Sequence, residues 1–209
     1  MIKYLFLIIA YLIGSIPFSY ILGKYIKKDD IRKHGSGNLG ATNAFRVFGA
    51  IVGISVMLLD TLKSGLIILI LEHTSWFEAI DLFPSIVYGA IAVLGHVFPI
   101  WMKFKGGKGV ASAFGALLFY YPLVALILLP VFIITIVLTK YVSLGSTIVT
   151  ICAFLLGLGL HLFTNIEQMD LTFVVTTGLM MVLIIFKHRT NYRRLLDGNE
   201  NKIKLRKKS

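Results

Sequence analysis

Cysteine is nearly missing from this chain: of 209 residues only Cys152 carries a thiol. One thiol allows no intrachain disulfide, no paired-cysteine redox motif and no cysteine metal site, and its apolar surroundings mark it as a small buried residue. Acidic residues are scarce, ten against 21 basic ones. Long stretches carry no charge at all. The apolar share is 57% and is gathered into runs, which excludes an ordinary soluble domain. A cleavable leader is missing too: Tyr4 to Ile13 is apolar, but no small-residue cleavage site follows it, so it reads as a first span. There is no internal repeat and no second domain. Residues 1–209 read as one integral membrane domain with a basic tail over 198–209, its positive charge facing lipid headgroups and not a nucleic acid.

Runs of about 17–25 apolar residues cross a hydrocarbon core about 30 Å thick, and the charges between them are segregated. Between Gly23 and Arg46 lie six basic residues against Asp29 and Asp30. Met102 to Gly109 carries Lys103, Lys105 and Lys108 unopposed, and the tail from Lys187 carries nine basic residues against Asp197 and Glu200. The stretches containing Glu72, Glu78 and Asp81, and Glu167 and Asp170, hold acids and no Lys or Arg. The excess of Lys and Arg in cytoplasmic loops predicts three basic loops inside and two acidic loops outside. Spans are expected at 2–22, 48–71, 83–101, 146–163 and 171–186, and 110–139 goes out and back by turning near Tyr120-Tyr121-Pro122. The limb Val110–Phe119 is a half-span, allowed where its backbone is covered by protein. The expectation is an all-α integral membrane bundle of about seven transmembrane helices including that half-span, N-terminus outside and C-terminus cytoplasmic; five spans with 110–139 folded back is the alternative.

Chemistry concentrates in the basic loops. Gly35-Ser36-Gly37-Asn38-Leu39-Gly40 has the glycine spacing of a dinucleotide fingerprint but no preceding strand, so that reading fails on context. Its glycines still permit close backbone approach, and a helix starting near Asn43 aims free N–H groups at an anion. Ser36, Asn38, Thr42 and Asn43 add donors, and Arg46 adds a forked cation suited to phosphate. Lys105-Gly106-Gly107-Lys108-Gly109, ahead of a helix from Val110, is a second anion loop. His188-Arg189-Thr190-Asn191 places a histidine at a span end, where it can act as acid, base or donor. Asp60 and Lys63, one turn apart inside the second span, can neutralise each other and read as a buried structural pair. His96 reads as a structural histidine, and His73 and His161 as interface residues. The tail beyond Gly198 reads as solvated or resting on lipid heads.

Taken together, Ser36-Gly37-Asn38-Leu39-Gly40-Ala41-Thr42-Asn43, the run from Gly95-His96-Val97-Phe98-Pro99 through Lys105-Gly106-Gly107-Lys108-Gly109-Val110-Ala111, and His188-Arg189-Thr190-Asn191-Tyr192-Arg193-Arg194-Leu195 closely resemble the signature of the bacterial membrane acyl-phosphate:glycerol-3-phosphate acyltransferases. The resemblance extends to Leu59-Asp60-Thr61-Leu62-Lys63 and to Lys140 through Leu144, with small departures at Leu39, Tyr192 and Ser112. It implies a compact seven-helix membrane enzyme without metal or organic cofactor. Such an enzyme moves a fatty acyl group from acyl phosphate to the sn-1 hydroxyl of glycerol 3-phosphate, giving lysophosphatidate and inorganic phosphate, the first step of phospholipid biosynthesis. Its setting would be the bacterial inner membrane, with the active site on the cytoplasmic side and an upstream enzyme producing the acyl phosphate. By resemblance the catalytic residues are His188, Ser36, Arg46, Lys108 and Asn191. Substrate would be bound by Gly37, Asn38, Gly40, Thr42, Asn43, Gly106, Gly107, Gly109, Ser143 and Arg189, with Gly106 to Gly109 on the glycerol 3-phosphate. His188 and a phosphate oxygen of the substrate both remain candidates for the base.

Other glycerophosphate acyltransferases pair His with Asp across four residues. Here the residues five positions after each histidine are Leu39, Glu78, Trp101, Ile166 and Arg193, and Glu78 falls on the outer side, so that thioester chemistry is not expected. A transporter of a phosphorylated metabolite is the competing class; it would use Asp60 and Lys63, but it needs its binding groups near the midplane. A lipid-binding scaffold is the third.

Overall fold

The computed structural model describes residues 2–74 and 82–203; Glu78 and Asp81 of the first acidic loop, and the basic run from Lys204, lie outside the described residues. Every regular element among the described residues is an α-helix or a short 3₁₀ turn. The helices are α1 (Ile2–Gly14), α2 (Phe18–Ile26), α3 (Ala41–Phe48), α4 (Ala50–His73), α5 (Ser85–Val97), α6 (Val110–Tyr120), α7 (Pro122–Thr139), α8 (Val142–Phe163), α9 (Leu171–Lys187) and α10 (Arg189–Leu196).

Among the described residues, five segments are long and apolar enough to cross a membrane: Ile2–Ile26, Ala50–His73, Ser85–Met102, Pro122–Thr139 and Val142–Phe163. The pair α9 and α10, bent by 48°, makes a sixth, and Val110–Tyr120 is a shorter apolar helix. The chain is an integral, multi-pass membrane protein. At 11 residues α6 is about 16 Å long, the expected half-span. The first span is broken where continuity was expected: Ser15 to Pro17 separates α1 from α2, because Pro17 has no N–H and its ring opposes a continuous helix.

The chain divides into two compact units, Met1–Tyr121 and Pro122–Ser209. In the first, α4 packs along α6 and α5, and α1 along α5. Hydrocarbon gives helices no hydrophobic reason to associate, so close packing of backbones does the work. A Cβ on Gly115 would lie 2.0 Å from the Thr61 carbonyl oxygen, and one on Gly14 would lie 2.1 Å from that of Ala92. Those glycines let α6 meet α4 and α1 meet α5 backbone to backbone. In the second unit α7 pairs with α8, and α8 with α9. Large apolar side chains such as Ile51, Leu58, Leu138, Leu155 and Leu179 remain exposed, as residues facing lipid do.

Gly115→Ala should force α6 off α4, an overpacking cost of about 1–3 kcal/mol. A thermal unfolding midpoint in detergent equal to that of the parent protein would show the α4–α6 contact to be looser than this backbone approach implies.

Candidate functional site

The first loop is held open by its own side chains. Gly35 and Gly37 take left-handed backbone angles, φ 61° and 68°, which few other residues adopt without strain. Asn43 is buried, at 2% exposure. Its Oδ1 accepts from the Ser36 N–H at 3.0 Å, and its Nδ2 donates to the carbonyls of His34 at 3.2 Å and Asn38 at 3.1 Å. The Asn38 Oδ1 accepts from the Gly40 N–H at 3.0 Å, and Ser19 Oγ donates to the Leu39 carbonyl at 2.6 Å. The expected donors therefore fall into two groups. Asn43 is spent on loop shape, whereas Ser36, Gly37 and Thr42 stand exposed and Asn38 and Gly40 half-buried. The helix begins at Ala41, two residues earlier than expected, which turns Asn43 inward and leaves Arg46 exposed on its last turn. Beside the loop, the Arg32 guanidinium hydrogen-bonds Asp30 and holds its carboxyl at about 2, against an ordinary 3.8.

The glycine-lysine loop leaves α5 through a 3₁₀ turn at Ile100–Met102, and Lys103 and Phe104 are both left-handed, φ 51° and 59°. The Gly106 N–H donates to the Val97 carbonyl at 3.2 Å and the Gly107 N–H to the His96 carbonyl at 3.0 Å, folding the loop back over the end of α5. Gly106 and Gly107 are glycines for space: a Cβ would lie 2.1 Å from the His96 carbonyl oxygen at Gly106 and 1.9 Å from His96 Nε2 at Gly107. Gly109 instead needs its φ of 87° to start α6. Lys108 stands half-buried between Gly107 and Gly109. The two loops are neighbours. Met102 packs on the cluster of Ile31, Leu39, Ala44, Val52 and Val56, and Leu39 and Gly107 line one small cavity together with Ser15, Pro17, Asp60, Lys63 and His96.

In the second unit His188 sits at the bend between α9 and α10 and is 3% exposed. Its Nδ1 lies 2.8 Å from the Ile184 carbonyl. A carbonyl only accepts, so the proton is on Nδ1 and the lone pair of the neutral ring is on Nε2. Asn191 follows one turn later, its N–H on the His188 carbonyl at 2.8 Å. Arg189 is exposed and stacks 4.3 Å from the Phe186 ring, a rim position unlike the buried His188 and Asn191.

One residue of this cluster was not foreseen. Glu200 belongs to the tail expected to be solvated, yet its side chain is only 6% exposed. Oε1 accepts from Asn191 Nδ2 at 2.6 Å and from Ser143 Oγ at 3.0 Å, and Oε2 accepts from Arg194 Nε at 2.8 Å. The tail is pinned further by the Ile203 N–H on the Lys140 carbonyl at 2.8 Å. A carboxylate gathering three donors is invisible to motif spacing, because Ser143 and Arg194 reach it only once α8 and α10 are packed. Burial pushes the Glu200 carboxyl up, but the bonds from Asn191, Arg194 and Ser143 and the Arg194 charge outweigh it and hold it below its ordinary 4.5. A lowered folded-state value means that its stabilisation is complete above that ordinary value and is lost as pH falls through the folded one.

Glu200→Ala should release the tail from Asn191, Ser143 and Arg194, giving faster proteolytic trimming after residue 196 at neutral pH and activity reduced about tenfold or more. The parent protein should show the same faster trimming only when acidified below about pH 4.5. Identical trimming of variant and parent at every pH would remove Glu200 from the cluster.

Residues 4–198 match the family model described as glycerol-3-phosphate acyltransferase. The glycerol-3-phosphate acyltransferase of Bacillus subtilis (strain 168) is 43% identical over 200 residues, 96% of this chain and 97% of its own length. That of Staphylococcus carnosus (strain TM300) is 41% identical over 204 residues, 96% and 97%. A crystal structure of PlsY (YgiH), an integral membrane glycerol 3-phosphate acyltransferase, in its glycerol 3-phosphate form is similar with a TM-score of 0.85 and 37% identity, covering 98% of this chain and 96% of that one. Its lysophosphatidic acid form gives 0.82 and 36%. With its phosphate-suited loops and a histidine whose basic lone pair is on Nε2, the chain belongs to the glycerol-3-phosphate acyltransferase family.

Proposed function

We propose that this protein acylates the sn-1 hydroxyl of glycerol 3-phosphate from acyl phosphate, releasing lysophosphatidate and inorganic phosphate at the cytoplasmic face of the bacterial inner membrane. The observation that carries the reading is the two preorganised, glycine-shaped loops of the first unit, which bear Ser36, Arg46 and Lys108; the second unit carries, by itself, a histidine with its proton on Nδ1. Two phosphorylated substrates need two anion-binding loops. The relatives of known name point to the acceptor, and PlsY has been seen with both glycerol 3-phosphate and lysophosphatidic acid.

The chemistry follows from the groups. The acceptor's hydroxyl oxygen attacks the acyl carbonyl carbon, a new C–O ester bond forms, and the bond from that carbon to the phosphate oxygen breaks. The hydroxyl proton leaves to His188 Nε2, or to a phosphate oxygen of the substrate itself. An acyl phosphate is an activated mixed anhydride, so no covalent enzyme intermediate is needed. Placement of the two substrates is worth about 7 kcal/mol or more of barrier. Arg46 and Lys108, one a planar fork and the other a compact point charge, neutralise phosphate oxygens as charge shifts to the leaving group. Gly106 to Gly109 take the acceptor's phosphate. Ser143 and Asn191, aligned by Glu200, act beside His188. The upstream partner is an enzyme that makes acyl phosphate, and the acyl chain enters from the lipid.

Purified protein in lipid should make radiolabelled lysophosphatidate from glycerol 3-phosphate with palmitoyl phosphate, and none with palmitoyl-CoA or palmitoyl carrier protein. Product from a thioester would replace the donor, and no product from any donor with folded protein would end the assignment. Arg46→Ala and His188→Ala should each lower turnover by about a hundredfold or more in a folded protein, as loss of a charge clamp or a general base does. His188→Ala at the parent rate would hand the proton to the substrate's phosphate. Cysteines placed at positions 46, 108 and 189, with Cys152 removed, should react with an impermeant thiol reagent added on the cytoplasmic side of oriented vesicles. Labelling from the opposite side would invert the topology.

A further inference from the structure

A buried polar cluster lies beneath the loops and takes no part in the chemistry above. Asp60 and Lys63, on the same face of α4, are 1% and 5% exposed, and His96, on the last turn of α5, is 7% exposed. Lys63 Nζ is 2.7 Å from Asp60 Oδ1, 3.1 Å from the Ile16 carbonyl oxygen and 2.9 Å from His96 Nδ1. An ammonium has three protons and no lone pair, so all three are accounted for, and His96 Nδ1 must be accepting. The imidazole proton therefore sits on Nε2, the nitrogen beside Gly107, where a Cβ would come within 1.9 Å. At the break before α2 the Ile16 carbonyl accepts the Phe18 N–H at 3.2 Å, and the same lysine is its second donor. The Asp60–His96 contact through Nδ1, at 3.3 Å, is the longest in the set.

This is more elaborate than a pair that merely neutralises itself. Two ionised groups inside a membrane span are costly, and a charge-free pair would satisfy packing at lower cost. What the cluster does that apolar residues cannot is fix the plane and tautomer of the His96 ring. That ring and its own carbonyl form the surface on which Gly106 and Gly107 lie, the carbonyl accepting from the Gly107 N–H. The cavity lined by Asp60, Lys63, His96 and Gly107 also reaches Leu39 of the first loop.

Resting on the reading that Gly106 to Gly109 take the phosphate of glycerol 3-phosphate, we propose that Asp60, Lys63 and His96 are positioning residues for that loop. The Asp60–Lys63 ion pair orients His96, and His96 sets how closely and at what angle the Gly106-Gly107 backbone, and so Lys108, meets the acceptor. None of the three touches the reacting atoms.

The test separates positioning from plain structural support. His96→Asn keeps an acceptor where Nδ1 stood, so Lys63 stays satisfied, but it removes the part of the ring that faces Gly107. In lipid-reconstituted protein its KM for glycerol 3-phosphate should rise about tenfold or more, while kcat and the KM for palmitoyl phosphate stay within about threefold. His96→Gln, whose amide reaches where Nε2 stood, should recover part of that rise. A structural role would instead lower the amount of folded, active protein and leave the glycerol 3-phosphate KM where it was. A folded His96→Asn with the parent KM, or with both KM values raised together, overturns the proposal. If His96→Asn does not fold, the charge-free double variant Asp60→Asn/Lys63→Met carries the same expectation and the same refutation. If neither folds, the cluster is a folding requirement and the proposal falls. Absence of lysophosphatidate from the parent protein in the same assay would instead defeat the assigned reaction.

Discussion

A backbone N–H or carbonyl left without a partner in hydrocarbon costs several kcal/mol, so a chain that lives in a bilayer tolerates irregular backbone only where something else bonds it. That constraint organises this protein. Each departure from helix around the loops has a named partner for groups it exposes. At the α1–α2 break the Ile16 carbonyl accepts from both the Phe18 N–H and Lys63, and Ser15 turns its hydroxyl back to Tyr11 at 2.8 Å. The loop after α2 is bonded through Asn43 and Asn38, and the loop after α5 folds onto the carbonyls of His96 and Val97. Ser36 and Lys108 stand in two of these breaks. A phosphate needs free N–H groups and cations near a water surface, and the ends and interruptions of helices supply them.

The same logic explains why the buried charges Lys63 and Glu200 are so fully bonded. Lys63 has three protons and three acceptors, and Glu200 receives three donors on two oxygens. The set around Lys63 is not complete, since Asp60 Oδ2 is buried without a hydrogen-bond partner among the described residues and its desolvation cost is offset only through the ion pair on Oδ1. Asn43, Glu200 and Lys63 are thus spent on holding neighbouring backbone and side chains in place, whereas Ser36 and Arg46 stand exposed and Lys108 half-buried.

The helices were legible because the apolar runs leave little choice: α4 was expected over 48–71 and lies at Ala50–His73, and the half-span ends at Tyr120, before Pro122 starts α7. The break at Pro17 was missed, since proline within an apolar run is also compatible with a kinked, continuous span. The polar, glycine-rich character of the loops was legible from composition. Which of their donors face a ligand was not, because Asn43 and Thr42 differ only in the direction each takes on the first turn of α3.

By itself, then, the sequence determined an α-helical membrane protein and the placement of its polar, glycine-rich loops between the apolar helices. Apolar run length and local residue chemistry act over a few neighbours and need no partner elsewhere in the chain. Only the tertiary structure decided that Glu200 binds Ser143 and Asn191, that His96 lies against Gly107, and that Lys63 serves the Ile16 carbonyl. Glu200 and Ser143 are 57 positions apart in the chain, and Lys63 and Ile16 are 47 apart. Their meeting depends on helix rotation and on glycine-to-backbone packing, quantities that no local pattern encodes.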